Sequence, residues 1–287
     1  MAIINVNGFD FFTDINGNPM SLIIRGNNLS EEISFIKDNK IQSLSLNFFQ
    51  SKNVLDLNFL QDVNFVEKIS LDDLDINYSG LYYLKNLKNL TLSVKNSTQH
   101  LDFSKFVDLE SLFVDWYQKF PDLTQCNNLK ELHLWKFKPK TKSFSELVLP
   151  KNLEVLSITQ SNIQSLRELC LPNLKDFGAY YCNSLDNTEG INKFSENLQT
   201  LIFQYSRKLV NYNDLKFCKK LEKLIIADCG NIPNLNWLTE LKNIKHFSFW
   251  NTTLNDGNVK PCFGIDYVSF KDSKHYNFKE SDFVKKT

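Results

Sequence analysis

The feature that most constrains this chain is a short apolar motif that recurs along most of its length. The motif is an apolar residue, two other residues, an apolar residue, one other residue and a third apolar residue. It occurs eleven times between residues 41 and 270, and successive copies begin 20 to 25 residues apart. A period of this length is typical of solenoids, in which each repeat buries its apolar side by stacking on the next. The copies are Ile41–Leu46, Val66–Leu71, Leu87–Leu92, Leu109–Val114, Leu129–Leu134, Leu153–Ile158, Leu174–Ala179, Leu198–Phe203, Leu221–Ile226, Ile244–Phe249 and Ile265–Phe270.

Each copy of the motif predicts a short β-strand. Its last two apolar residues alternate with other residues, which is the period-two pattern of a half-buried strand. Three intervening side chains then share one outward face, and stacked repeats pair their strands in parallel. In the return segments apolar residues recur every third position, as at Leu235, Leu238 and Leu241, which favours 3₁₀ turns or short helices.

The repeat resembles that of the leucine-rich-repeat family over about four-fifths of the chain. Where the family has Asn or Cys just after the strand, this sequence has Cys182, Cys229, Ser161, Ser206 or Thr252. We expect these side chains to hydrogen-bond buried backbone groups where the chain turns inward. The resemblance implies an α/β solenoid, a horseshoe with one long parallel β-sheet on its concave face and 3₁₀ or short helices on its convex face.

The two ends of the chain are expected to cap the repeats, since a solenoid otherwise exposes its core. Residues 1–30 are predicted to form an N-terminal β-hairpin cap, because two apolar runs flank the turn-forming segment Asn16–Pro19. A helix-like segment is expected over Ser30–Ile36. Residues 31–270 are predicted to form the solenoid of about eleven repeats, and residues 271–287 a C-terminal cap or tail.

The charge balance argues against a nucleic-acid partner. Lys and Arg together number 33, as do Asp and Glu, whereas a nucleic-acid footprint needs a basic excess. The N-terminus lacks the features of a signal peptide, and no run approaches the ~18 apolar residues of a membrane span. We therefore predict a cytoplasmic protein without membrane association, and six cysteines that are free thiols.

The sequence offers few groups for catalysis or for metal binding. Its four His residues show no metal-ligand spacing, and its nine Gly residues form no phosphate-binding loop. Asp73–Asn77 begins like a calcium loop, but Tyr78 and Leu84 replace the Gly and Glu that such a loop requires. The alternating lysines of Lys136–Lys142 are expected to form a solvated loop. We predict no catalytic residue, no metal site and no cofactor.

The outward positions of the strands suggest where a partner binds. They are small and polar in the first repeats and become aromatic from about residue 113 onward. Exposed aromatic rings among carboxylates are the composition of protein-binding hot spots. The predicted partner-binding residues are Phe113, Asp115, Trp116, His133, Trp135, Asp176, Tyr180, Tyr181, Tyr205, Asp228, His246, Trp250 and Tyr267.

These observations lead to the hypothesis of a non-enzymatic protein-binding module. A preformed rigid surface loses little entropy when a partner docks. The composition, rich in Asn and Lys, looks bacterial, so our specific hypothesis is an immunity protein or inhibitor that binds and neutralises a cognate toxin. A regulatory or host-directed adaptor that binds another protein is the alternative, and carbohydrate binding by the exposed rings is a lesser one.

Overall fold

A computed structural model describes residues 2–94, 101–117 and 119–283. Within these residues each of the eleven motifs contains one strand, which begins two residues after the first apolar residue of the motif. The predicted alternation is confirmed: Leu132 and Leu134 are buried, whereas Glu131 and Trp135 in the same strand are exposed. The chain therefore has a leucine-rich-repeat fold.

The strands are numbered in chain order, and within β1 to β7 and within β8 to β14 each strand lies beside its neighbours in sequence. Their bounds are β1 Ile3–Val6, β2 Phe9–Thr13, β3 Pro19–Ile23, β4 Ser43–Asn47, β5 Lys68–Leu74, β6 Asn89–Val94, β7 Ser111–Asp115, β8 Glu131–Trp135, β9 Val155–Thr159, β10 Asp176–Tyr180, β11 Thr200–Gln204, β12 Lys223–Ala227, β13 His246–Ser248 and β14 Tyr267–Ser269.

The return segments are mostly 3₁₀ helical, as the spacing of three predicts. Together with one α-helix, α1 Leu29–Asp38, the described residues contain 3₁₀ segments at Asn58–Val63, Tyr78–Tyr83, Phe103–Lys105, Phe144–Glu146, Ile191–Lys193, Asn213–Phe217, Asn236–Glu240, Lys260–Cys262 and Glu280–Asp282. No helix in this part of the chain is long and apolar enough to cross a membrane.

The chain divides into two compact units. Unit 1 comprises Met1–Asp115 and Lys119–Lys130, and unit 2 comprises Trp116–Gln118 and Glu131–Thr287. Unit 1 contains β1 to β7 and α1, and unit 2 contains β8 to β14. In both units the repeat strands pair in parallel and in register, so that equivalent residues of successive repeats lie side by side.

The N-terminal strands of unit 1 form a three-stranded antiparallel meander where the sequence predicts a single hairpin. The extra turn is at Asn7 and Gly8, which both have positive φ and divide the first apolar run into β1 and β2. Asn-Gly is the favoured pair for such a two-residue turn. After the second turn, β3 pairs in parallel with β4, with Leu22 beside Leu44, so the meander continues the sheet of the repeats.

Helix α1 connects this meander to the first repeat. Its N-cap residue Asn28 accepts a hydrogen bond from the backbone N–H of Glu31. Glu32 is buried and accepts hydrogen bonds from the backbone N–H groups of Arg25 (2.8 Å) and Gly26 (3.0 Å). Its carboxylate therefore supplies acceptors for two backbone donors of the loop that precedes the helix. Burial is the main reason why the pKa of Glu32 is raised.

In the later repeats the inward turn after the strand uses the polar side chains as predicted. The Ser161 hydroxyl donates to the backbone carbonyl of Phe137 (2.6 Å), and the backbone N–H of Cys182 donates to the Ser206 hydroxyl (3.3 Å). The Cys229 thiol lies against two backbone carbonyls, at 3.3 and 3.4 Å. Burial raises the pKa of the Cys182 and Cys229 thiols to about 12, so both remain protonated and serve the fold.

A second set of side chains, which the sequence pattern did not predict, links four of the repeats to the repeats before them. An Asn directly before the motif donates its side-chain amide to a backbone carbonyl of the preceding repeat. These bonds join Asn128 to Val107 (2.9 Å), Asn173 to Lys151 (3.1 Å), Asn197 to Pro172 (2.9 Å) and Asn243 to Lys219 (2.7 Å). After the strand, Cys, Ser or Thr therefore takes the place of the family's Asn. Before the strand, other Asn residues make the hydrogen bonds between repeats.

The C-terminal segment after β14 packs back onto the last repeats. The Tyr276 hydroxyl accepts a hydrogen bond from the backbone N–H of Leu254 (2.8 Å). The ring of Phe263 contacts those of Phe278 (4.9 Å between centroids) and Phe283 (4.7 Å). Residues 284–287 of the predicted cap lie outside the described residues.

Candidate functional site

The outer face of unit 2 is the side of β8 to β14 turned away from the core. Strand register aligns its outward residues in three rows. The first row is Glu131, Val155, Asp176, Thr200, Lys223, His246 and Tyr267; the middle row is His133, Ser157, Gly178, Ile202, Ile225, Ser248 and Ser269; the last row is Trp135, Thr159, Tyr180, Gln204 and Ala227. Trp250 continues the last row, because its carbonyl accepts the N–H of Asp228 (3.0 Å), as the Ala227 carbonyl accepts that of Tyr205 (3.0 Å).

A fourth row follows the strands and has an unusual backbone. The first residue after each of β8 to β12, and Asn251 after Trp250, has a φ between 52° and 56°, in the left-handed region. Non-glycine residues are uncommon there, Asn and Asp are the best tolerated, and a bulky side chain is an outlier. We call this the left-handed row; its members are Lys136, Gln160, Tyr181, Tyr205, Asp228 and Asn251.

Two neighbouring positions of the left-handed row hold tyrosines. The rings of Tyr181 and Tyr205 stack with their centroids 4.5 Å apart and their planes 16° from parallel. The Tyr181 side chain is nevertheless 45% exposed, and Tyr205 is half-buried. The repeat geometry sets the backbone, but nothing in the core requires an aromatic ring at this edge.

Tyr180, the last residue of β10, lies across the outer face of its own strand. A Cβ atom at Gly178 would lie 2.6 Å from Cε2 of Tyr180, so the ring occupies the space that a side chain at position 178 would need. Burial raises the pKa of the Tyr180 phenol, which therefore stays protonated at neutral pH. Gly178 is thus a positioning residue that the sequence reading placed on the face without a role.

The two tryptophans predicted on this face are exposed. Trp135 ends β8 with half of its surface exposed (50%), and Trp250 is 46% exposed. Each is flanked by polar residues of the left-handed row, Lys136 and Asn251 respectively. These indoles can therefore contact a partner without moving a core residue.

The histidines of the face are neutral at pH 7. His133 is half-buried, and its Nδ1 lies 2.6 Å from the Ser157 hydroxyl. His246 stacks on Tyr267, with centroids 4.3 Å apart and planes 18° from parallel. Burial is the main cause that lowers both pKa values, and Lys223 contributes at His246. The first row ends in a flat pair of rings, of which Tyr267 is the more exposed.

The carboxylates predicted for the site differ in accessibility. Asp176 is half-buried in the first row of the face, and Asp228 accepts a hydrogen bond from the Asn251 amide (3.2 Å). Asp115 lies in β7 of unit 1, where it is only 7% exposed and accepts a hydrogen bond from the Ser93 hydroxyl (3.3 Å). Burial therefore removes Asp115 from the surface on which the sequence pattern places it.

The remaining two predicted residues flank the end of β7. Phe113 is outward and exposed in unit 1. Trp116 belongs to unit 2, where its ring meets Phe137 edge to face at 5.7 Å. Its indole N–H is buried without an acceptor among the residues described. Trp116 therefore contributes to packing as well as to the surface.

Charged side chains at the edge where the strands begin form ion pairs with one another. The residue after the first apolar position changes sign between several neighbouring repeats, so that Lys175 pairs with Glu154 (2.6 Å) and Lys245 with Glu222 (2.8 Å). Exposed pairs of this kind contribute little stability, about 0.2–1 kcal/mol each. They engage these charges within the protein, whereas, among the described residues, the exposed rings of the outer face and of the left-handed row have no such partners across this edge.

The arrangement of unit 2 offers aromatic surface and polar rims for binding. In the part of the chain that the structure describes, no three His, Cys, Asp or Glu side chains group so as to hold a metal ion. The His133–Ser157 pair belongs to a row whose other members are Gly, Ile and Ser. The geometry is therefore that of a contact surface.

Solved bacterial structures show a similar repeat architecture. An internalin C2 of Listeria monocytogenes is 18% identical, with 73% of this chain and 83% of that chain covered and a TM-score of 0.47. An internalin (InlF) of the same organism is 16% identical, with 82% and 81% covered and a TM-score of 0.43. A leucine-rich-repeat protein of Leptospira interrogans is 15% identical, with 88% of each chain covered and a TM-score of 0.36.

Sequence comparison adds no closer relationship. No protein-family model matches the chain, and no curated protein matches it significantly. The fold assignment therefore rests on the chain's own repeat and strand register.

Proposed function

We propose that this chain is a non-enzymatic protein-binding module whose contact surface is the outer face and left-handed row of unit 2. The observation that carries the proposal is the stacked pair Tyr181 and Tyr205. A left-handed conformation costs an L-residue with a side chain roughly 1–2 kcal/mol, and strain of this kind clusters at functional sites. The fold does not need these rings, so binding is the reason to place them at an exposed edge.

The chemistry of the surface supports a protein partner. Trp135, Tyr180, Trp250 and the tyrosine pair supply rigid, amphipathic contact area with few rotatable bonds, and Tyr and Trp are enriched in binding hot spots. Asp176 and Asp228 repel phosphate, which argues against a nucleic-acid backbone. Rings held by a sheet before binding lose little side-chain entropy on association.

The specific role that we propose is that of a bacterial immunity protein or inhibitor, cytoplasmic, which binds a cognate toxin domain and neutralises it. A composition rich in Asn and Lys supports a bacterial source. A preformed surface with a large aromatic area suits a partner that must be held tightly and without catalysis. An adaptor that binds a non-toxic protein would use the same surface, and the experiment below separates the two.

The test is affinity purification of the tagged protein from its native organism, followed by mass spectrometry. Wild type should capture one dominant protein, and a Trp135→Ala/Trp250→Ala variant should lose it. Truncation of a hot-spot residue costs about 2 kcal/mol or more, which is roughly thirtyfold in affinity. Since both indoles are half exposed, the thermal midpoint of the variant should match that of wild type.

Co-expression of the captured protein then decides its class. If that protein arrests growth and this chain restores it, the immunity role is supported; if it is harmless, the adaptor role replaces it. Binding of the wild-type protein to a glycan array, lost in the same variant, would replace both by carbohydrate recognition. Capture that is equal for wild type and variant would reject this surface as the contact site.

A further inference from the structure

Unit 1 contains a groove that the proposed contact surface of unit 2 does not use. Its volume is 1210 Å³, and it lies between the N-terminal meander and the outer face of β4 to β6. Residues from four parts of unit 1 line it: the meander, the C-terminal end of α1, the outward rows of the strands and the loop after β4. All of these lie within the same compact unit, so the groove is a feature of unit 1 alone.

Large apolar side chains line the groove. Phe12 and Met20 come from the meander, and Phe49 comes from the loop after β4. Phe49 is 80% exposed and Met20 is 48% exposed, so neither has a role in the core. Large side chains placed this way around a depression form an anchor site for an apolar residue of a partner.

Short polar side chains that can form hydrogen bonds line the floor of the groove. The outward rows of β4, β5 and β6 contribute Ser43, Ser70, Asn89 and Thr91. Their short side chains leave the sheet surface low and offer both donors and acceptors. Such a floor accommodates the polar backbone of an extended segment.

The groove has opposite charges at its two ends. Lys40 and Lys68 lie where the strands begin, and Asp72 lies two residues before the end of β5. None of these three takes part in an ion pair within the described residues, whereas the neighbouring Lys88 pairs with Glu67 (3.0 Å). Lys68 and Asp72 are four residues apart in one strand, about 13 Å at ~3.3 Å per residue.

We propose that this groove binds an extended segment of a protein partner in which an acidic and a basic residue, four positions apart, flank an apolar one. In an extended segment residues i, i+2 and i+4 face the same side and span the same ~13 Å. The acidic residue then meets Lys40 and Lys68, the apolar residue lies against Met20 and Phe49, and the basic residue meets Asp72.

The charge pattern selects this occupant over others. A phosphate polymer or a uniformly acidic polysaccharide would bring negative charge onto Asp72. A neutral sugar would use neither end of the groove. An extended segment with one charge of each sign can form an ion pair at each end of the groove and can also bury an apolar side chain against its apolar lining.

Methyl NMR of the full chain tests the proposal directly. The chain has two methionines, so a sample labelled at methionine methyls gives few resonances, and Met20→Leu identifies the one in the groove. The probe is the blocked peptide Gly-Lys-Thr-Leu-Thr-Glu-Gly. We expect the Met20 resonance to shift and saturate with this peptide, and to shift far less when its Leu is replaced by Ser or its Lys by Glu.

Protein variants complete the test. Lys68→Glu should weaken the probe about fivefold or more and should favour a peptide with Lys in place of Glu. Phe49→Ser should weaken binding of the probe by about tenfold, because the Leu side chain of the probe then buries less apolar surface. Both side chains are exposed, so thermal midpoints should stay at the wild-type value. Tyr181→Asn, which lies in unit 2, is the matched control and should leave the titration unchanged.

Three results would overturn the proposal. One is a Met20 resonance that does not respond to the probe. Another is an equal response to the probe and to its Ser or Glu derivatives. A third is unchanged affinity in the Lys68→Glu variant. Since no described residue of unit 2 lines the groove, failure of this experiment would leave the function proposed for unit 2 standing.

Discussion

The outer faces of the two units are built on the same backbone and carry different chemistry. In unit 1 the middle row reads Ser45, Ser70, Thr91 and Phe113, with one aromatic residue at its end, whereas the outward rows of unit 2 include Trp135, Tyr180 and Trp250. The inner rows, formed by the second and third apolar residues of each motif, are similar, since both units bury an apolar side chain at these positions in every repeat. The fold therefore constrains the inner rows, and the outward rows are free to follow a partner.

The two units also differ in the residues that have the left-handed conformation after a strand. In unit 1 the residue with this conformation after the main part of β5 is Asp73 (φ 54°), a type that tolerates it. In unit 2 the same conformation is given to Tyr181 and Tyr205. The same left-handed conformation thus recurs in both units, and among the described residues it is in unit 2 that it presents aromatic rings.

The largest expected effect tests whether the inner rows are equivalent. Leu132→Ala in unit 2 and Leu90→Ala in unit 1 each remove a fully buried side chain. Each should lower the free energy of unfolding by roughly 2–5 kcal/mol, measured by chemical denaturation. If one of the two costs less than about 1 kcal/mol, the two inner rows are not equivalent and the comparison of outer faces loses its basis.

A smaller effect separates the two middle rows. Gly178→Ala places a methyl group where the Tyr180 ring lies, and should destabilise unit 2 by about 1–3 kcal/mol or displace the ring. Ser70→Ala, the counterpart in unit 1, should change stability by less than about 0.5 kcal/mol. Denaturation curves and the tyrosine fluorescence of both variants measure this. Equal effects would show that Tyr180 does not rely on Gly178.

The next effect depends on pH. Burial lowers the pKa of His133 below its ordinary value of 6.5, so the folded state binds a proton less readily than the unfolded chain. This contribution to stability is complete above pH 6.5 and is lost as pH falls below it, by at most about 1.4 kcal/mol per pH unit. His133→Gln should reduce the fall in thermal midpoint between about pH 7.5 and 5.5. If the thermal midpoint of the variant falls as much as that of wild type, groups other than His133 cause the acid sensitivity.

The repeat made most of the fold predictable. A period-two apolar pattern fixes which side chains are buried, and eleven copies fix the order and register of the strands. The inward-turn bonds of Ser161 and Cys182 were predictable for the same reason, because buried backbone groups need partners. The division of the first apolar run at Asn7 and Gly8 was missed, although Asn-Gly is a strong hairpin signal.

The candidate site was less predictable, because its properties depend on contacts between repeats. Alternation places both Asp115 and Trp135 on the outward face, yet Asp115 is buried beside Ser93 and Trp135 is exposed. The left-handed backbone at Tyr181 is a property of the repeat turn and leaves no mark in a single copy. The groove of unit 1 depends on how the meander packs against the strands, which no motif encodes.

The most direct test of the central claim is the Tyr181→Asn/Tyr205→Asn variant, measured for stability and for partner capture side by side. Loss of ring stacking costs about 0.5–1.5 kcal/mol, and Asn relieves a similar amount of strain in the left-handed conformation. We predict a free energy of unfolding within about 1 kcal/mol of wild type and loss of the captured partner. A variant that unfolds several degrees earlier and still captures the partner would contradict the account, because the tyrosines would then serve the fold and not the contact surface.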